Sequence, residues 1–283
     1  MSIEIIDMLI TFSGLTTMLR FDKIVGMIPL FKSHYSIGKS ILTLDDPITH
    51  KEGGSDSVFS IAVENKLKEV VLVEDSLTGF LQAKKNADNL NLKLIFGLRI
   101  DMRENAKLDP KQETVDSSHK VIIFARDAKG CQLLNTIYSE AFTKHHNCVD
   151  HKILKKHWND QHLILAIPFY DSFIYNNLMK FANCTPSFGF TKPTFFIEQN
   201  GLPFDNFLQQ KVKNYASKNN NTVEYTKSIY YKNKADVTAL QTYKCITGRT
   251  FGNKTLSKPN LDHFGSNEFC FESWKENNER ITA

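Results

Sequence analysis

The sequence predicts an α/β protein whose parallel strands are joined by crossover helices, as in an α/β barrel or a doubly wound sheet. Short apolar runs rich in β-branched and aromatic residues recur along the chain, and segments of helical periodicity lie between them. This alternation favours parallel pairing, because a helix between two strands carries the chain back to the same end of a sheet. Size agrees: 283 residues with 41% hydrophobic content can bury a large core, in one barrel or in two smaller domains.

The strand runs are "MIPLF" from Met27, "VVLVE" from Val70, "LKLIFGLRI" from Leu92, "HKVIIFARD" from His119, "HLILAIPF" from His162, "TFFIEQ" from Thr194 and "VEYTKSIYY" from Val223. Each is short, apolar and bounded by polar or turn-forming residues, as a buried strand is. Helical spacing covers residues 77–90, 129–142, 172–182 and 205–218. Residues 45–57, with Gly53 and Gly54, and residues 103–118 read as surface loops, and "KNNN" at 218–221 as an exposed turn.

Charge and cysteine usage narrow the function classes. Thirty-five basic residues stand against 31 acidic ones, a net charge of +4 that does not by itself announce a nucleic-acid binder. Cys131, Cys148, Cys184, Cys245 and Cys270 are odd in number, widely spaced and without a Cys-x-x-Cys pair. That argues against a disulfide framework and a zinc ribbon, and for a reducing cytoplasm. The N-terminus is apolar, but Glu4 and Asp7 interrupt it and it has no basic leader. Residues 1–26 read as a helical extension that docks on the domain or on a partner, not as a membrane anchor.

"LFKSHYSIGKS", from Leu30 to Ser40, ends like a phosphate-binding loop. Such a loop needs glycine at both ends so that successive N–H groups can face the phosphates, and the first glycine is Ser33 here. The match is incomplete.

A family resemblance accounts for this stretch. "LTGFLQAKKNADNLNLKLIFGLRI" resembles the helix and strand after the second motif of the polymerase and histidinol phosphatase (PHP) domain of bacterial DNA polymerase III alpha subunits. "HKVIIFARDAKGCQLLNTIYSEAF" resembles that domain's third motif and following helix, and the segment from "TFFIEQNGLPF" to "CITGRT" its closing strand–helix–strand–helix. "GSNEFCFES" resembles the tail that leads to the polymerase body. The likeness runs from about Met27 to Trp274. It implies a distorted (β/α)7 barrel over residues 27–283, with a metal cluster at the C-terminal ends of the strands, where barrel active sites lie. "LFKSHYSIGKS" then aligns with the first PHP motif through Ser33, Tyr35 and Ser36.

The metal ligands that the resemblance implies are mostly replaced. The two histidines of the first motif become Leu30 and Lys32, and a later ligand of that motif becomes Lys39. The aspartate–histidine pair of the second motif becomes Val73 and Glu74, and the acidic ligand on the next strand becomes Arg99. His119 matches the third-motif histidine. A later position falls near Phe169, and the terminal Asp-x-His becomes Ser228 and Tyr230.

Only Glu74 and His119 retain ligand chemistry, for manganese or zinc if any metal is bound. Lys32, Lys39 and Arg99 would repel cations from the site, and no cofactor is expected. Two readings of the cations stay open. They pair with Glu74 or Asp75 in a salt-bridge network, or together with Ser228 and Tyr230 they bind an anion such as a phosphate backbone.

Other clusters read as structural. "KHHNCVDHKILKKHW" gathers His145, His146, Cys148, Asp150, His151 and His157, but its spacing fits no standard zinc pattern, and a solvated basic connection accounts for it. "FIYNNLMKF" and "FDNFLQQKV" have the spacing of helices that pack on a sheet.

The functional expectation is a catalytically inactive PHP module that supports DNA replication by docking with a polymerase or exonuclease subunit, with DNA a further possible partner. The alternatives are a metal-dependent phosphoesterase or 3′–5′ exonuclease of the PHP family, and a protein binding phosphate or nucleic acid through a cationic pocket. A stand-alone module of this kind suits a viral or split-gene protein, although fold alone does not fix function.

Overall fold

A computed structural model describes residues 26–48, 53–107, 118–247 and 266–282. The extension expected over residues 1–26 lies outside them apart from Gly26. The chain is a mixed α/β protein. Its elements in order are β1 (Ile28–Phe31), α1 (Val58–Glu64), β2 (Glu69–Glu74), α2 (Phe80–Asn89), β3 (Lys93–Met102), β4 (His119–Ala125), α3 (Ala128–Lys144), β5 (Cys148–Val149), α4 (His151–His157), β6 (Leu163–Ile167), α5 (Phe173–Met179), β7 (Thr194–Ile197), α6 (Asp205–Lys218), β8 (Thr222–Ile229), α7 (Val237–Thr247) and α8 (Phe271–Thr282). All seven expected strand runs and all four expected helices are present.

The chain divides into two compact units. Among the described residues, one holds 26–48, 53–96, 198–209, 224–247 and 266–282, and the other 97–107, 118–197 and 210–223. In the first, β1 runs parallel to both β2 and β8, and Leu30 is in register with Val71 on one side and Ser228 on the other. Such a central strand is covered on both faces and reads as an unbroken apolar run, as "MIPLF" does. Phe31 stacks on Phe271 of α8 with ring centroids 6.0 Å apart, and Trp274 Nε1 donates to the Met27 carbonyl at 2.7 Å. Burying each such side chain contributes about 1.5–3 kcal/mol relative to exposing it. The polar stretch before α1 supplies its cap: the Ser57 hydroxyl accepts the Phe59 N–H at 3.2 Å.

The second unit departs from the all-parallel expectation. β4 runs antiparallel to both β3 and β6, while β6–β7 and β3–β5 are parallel. Apolar periodicity reports burial and not direction, so a strand covered on both faces reads alike either way. α3 begins at Asp127, whose carboxylate accepts the Gly130 N–H at 2.7 Å and lies 2.6 Å from His162 Nδ1. Its buried residues, Gly130, Leu134, Ile137 and Ala141, recur at helical spacing. Phe173 closes the core of this unit, with its ring 6.4 Å from Phe195 and 5.1 Å from Tyr215. No helix among the described residues is long and apolar enough to cross a membrane.

Candidate functional site

The residues that replace the first- and second-motif ligands meet where β1 and β2 end. Glu74, the last residue of β2, is fully buried. Its Oε1 accepts the Ser33 N–H at 2.7 Å, and its Oε2 accepts the Ser36 hydroxyl. Ser36 Oγ in turn accepts the Asp75 N–H at 3.0 Å and stands 3.4 Å from Lys32 Nζ. Lys32 is only 5% exposed, and its ammonium bonds Asp75 Oδ1 at 3.0 Å. Burial pushes the Glu74 carboxyl above the ordinary carboxylate range, against the opposing pull of Lys32 and of the hydrogen bonds from Ser33 and Ser36.

This arrangement ties the loop after β1 to the end of β2. Both Glu74 oxygens already have a donor, and a buried ammonium lies beside them. A divalent ion at this carboxylate would have to displace the hydroxyl and stand against the lysine charge.

The rest of "LFKSHYSIGKS" folds on itself. The His34 N–H donates to the Leu42 carbonyl at 2.8 Å, the Tyr35 N–H to Ser33 Oγ, the Ser36 N–H to the Ser33 carbonyl and the Lys39 N–H to the Ser36 carbonyl. Ser40 Oγ stands 2.5 Å from the Lys32 carbonyl and 2.9 Å from that of Tyr230. Amides committed to the loop's own bonds cannot cradle a phosphate. Lys39 is exposed.

Ser228 belongs to a second buried constellation in the same unit. Its N–H and hydroxyl donate to the Glu198 carboxylate at 3.0 and 2.7 Å, and Asn200 Nδ2 donates to the same group at 2.9 Å. Lys227 is fully buried, with Nζ 2.9 Å from the Gln199 carbonyl and 3.8 Å from Glu268 Oε2. Burial raises the Glu198 carboxyl and lowers the Lys227 ammonium, each opposed by its hydrogen bonds or neighbouring charges. Tyr230 lies beside this group. Its ring stacks on Phe269 at 5.6 Å, and its N–H donates to the Phe269 carbonyl at 3.0 Å. Glu198 and Lys227 were not legible as site residues: the first sits in "FIEQN" and the second in an alternating strand, and only the fold buries both.

The remaining candidates belong to the other unit. Arg99 on β3 pairs with Asp171 at 2.6 Å, and its neighbour Asp101 pairs with Lys120 at 2.7 Å across the β3–β4 ladder. His119, 2% exposed, has Nδ1 3.6 Å from Cys184 Sγ and its ring edge-on to Phe173 at 5.8 Å. Burial, with the charge of Glu104, pushes the Cys184 thiol up, so it is held as a thiol and not as a nucleophilic thiolate. Phe169 is buried against Tyr170.

The histidine-rich stretch resolves into caps and ion pairs. Asp150 caps α4 by accepting the Ile153 N–H at 2.9 Å, and Glu140 on α3 lies 2.6 Å from His157 Nε2 and 3.0 Å from Lys156 Nζ. Among the described residues no group of three or more His, Cys, Asp and Glu side chains converges as a metal site.

No protein-family model matches the chain, and no curated protein matches it.

Proposed function

We propose that this chain is a catalytically inactive PHP-type module, a distorted (β/α)7 barrel over residues 27–283 that serves DNA replication as a docking scaffold for a polymerase or exonuclease subunit. The observation that carries the reading is the state of Glu74. The acidic residue best placed to keep a metal is fully buried, its two oxygens are taken by Ser33 and Ser36, and Lys32 stands beside it. A PHP phosphoesterase or 3′–5′ exonuclease needs a metal to activate water and neutralise phosphate charge, and this carboxylate is committed elsewhere. The anion-binding alternative asks Lys32 and Arg99 for free positive charge, whereas each is held by a carboxylate at ion-pair distance.

The test has two parts. Elemental analysis of protein purified without chelator, then assays of phosphomonoester and single-stranded DNA turnover in manganese, should show no stoichiometric metal and no turnover. Size-exclusion chromatography with the purified polymerase and exonuclease subunits of the same source should show a stable complex with one of them. A tightly held metal, or turnover lost in His119→Ala, overturns the inactive reading, and the absence of any complex overturns the docking role.

A further inference from the structure

α4 presents a basic face edged by aromatic rings. Ile153 and Leu154 point inward and are buried, and at about 100° per residue Lys152, Lys155 and Lys156 share the opposite side, where all three are exposed. The same turn places His151 and the following Trp158 along one border of the lysines. Phe190 stands edge-on to both rings, 5.2 Å from each. The cluster is fixed in place: His151 Nδ1 lies 3.0 Å from the Ser187 carbonyl, and Trp158 Nε1 donates to Asp160 at 2.7 Å.

The acids near this face are few and engaged. Glu140 pairs with Lys156 and His157, Asp160 with Trp158 and Thr191, and Asp150 is the buried cap of α4. Lys144, one turn beyond Glu140 on the same side of α3, is exposed as well. Among the described residues Lys144, Lys152 and Lys155 have no acidic partner. The face therefore joins uncompensated positive charge to partly exposed, positioned rings, which is the chemistry of a surface that tracks a phosphate backbone and stacks a base.

We propose that this face binds single-stranded nucleic acid, with Lys144, Lys152 and Lys155 on phosphates and the Trp158–Phe190–His151 cluster against a base. The site shares no residue with the Lys32 and Arg99 ion pairs and does not depend on the inactive-module reading, which stands or falls on metal content.

The experiment is fluorescence anisotropy of the full chain with labelled oligothymidylate and oligouridylate of about 20 nucleotides, over about 50 to 200 mM salt. Binding should weaken with salt by a logarithmic slope of about −0.7 per phosphate contact. The double variant K152E/K155E should bind about tenfold or more weakly with a shallower slope. W158A should bind about fivefold or more weakly with its slope unchanged, and W158F should recover most of the loss. K68E/K218E, which reverses exposed lysines elsewhere, should bind as the native chain does, and circular dichroism should show every variant folded. The two oligonucleotides distinguish DNA from RNA as the natural ligand. The proposal is overturned if neither binds at about 50 mM salt, or if K152E/K155E binds like the native chain. It is equally overturned if polyglutamate competes as well as the oligonucleotides while W158A has no effect, which would assign the face to an acidic protein.

Discussion

Lys32 Nζ and Asp75 Oδ1 stand 3.0 Å apart beside the fully buried carboxylate of Glu74. The lysine answers one acid directly while Ser33 and Ser36 answer the other, so the two carboxylates and the ammonium are all engaged within the loop. Removing one member strands the others. Glu74→Ala leaves the Ser33 N–H and the Ser36 hydroxyl without their acceptor and should cost about 2–4 kcal/mol of stability, and Glu74→Gln, which keeps the shape and one acceptor, should cost about half as much. Urea unfolding measures both. If Glu74→Ala is as stable as the native chain, the network does not hold the loop.

Stability should respond to pH in opposite senses at two sites. Glu198, like Glu74, has its folded pKa raised by burial from 4.5, so the folded chain holds the extra proton between that value and its folded pKa. Its contribution is fully present below 4.5 and is lost as pH rises through the folded pKa. Glu140 is held down at about 2, chiefly by hydrogen bonds from His157 and Lys156, so its contribution is present above 4.5 and is lost as pH falls. Glu198→Gln should therefore gain on the native chain as pH rises from about 4 to about 8, and Glu140→Gln should lose less to it as pH falls from about 5 to about 2. Equilibrium unfolding across this range checks the signs. A Glu198→Gln difference that does not change with pH would refute the first.

The strands were legible because each run is short, apolar and flanked by polar or turn residues, and Ile28–Phe31 and Glu69–Glu74 emerge within one residue of the expected runs. Direction was not legible for β4, since "HKVIIFARD" carries the same apolar signal whether it pairs parallel or antiparallel. α8 was hidden in a tail read as a connection, although Phe271 and Trp274 at i and i+3 carry its buried side. At the candidate site, Lys32 and Glu74 stood out at positions that the family resemblance assigns to metal ligands, and one of the expected pairings, Lys32 with Asp75, is present. Glu198 and Lys227 escaped notice because a charged residue in a polar context reads as exposed until the fold covers it.

Thiol chemistry should follow burial. Burial pushes the Cys270 thiol up to about 11, and Cys148 is also fully buried, whereas Cys131 and Cys245 are half-buried on helices. Since the thiolate is the reactive form, iodoacetamide at about pH 8 should modify Cys131 and Cys245 first, Cys184 more slowly, and Cys148 and Cys270 only on unfolding. Peptide mass spectrometry over a time course reads the order. Early modification of Cys270 would place it outside the core.

Gly97 on β3 is required by its neighbour across the sheet. A Cβ built there would stand 2.5 Å from the Phe124 ring and 3.0 Å from Ile122 Cγ2, both on the antiparallel β4. Phe124 is fully buried, with its ring 6.2 Å from Phe196, so it cannot swing aside without opening the core. Gly97→Ala should therefore cost about 1–3 kcal/mol through overpacking, although alanine suits an extended backbone at least as well as glycine does. Phe124→Leu should cost about 1–2 kcal/mol alone by leaving a void, yet the double variant should be more stable than the sum of the two losses predicts, because the shorter side chain admits the methyl. A double-mutant cycle in urea measures the coupling. Simple additivity would show that Gly97 is not held to glycine by Phe124, and that β3 and β4 can separate enough to take a side chain between them.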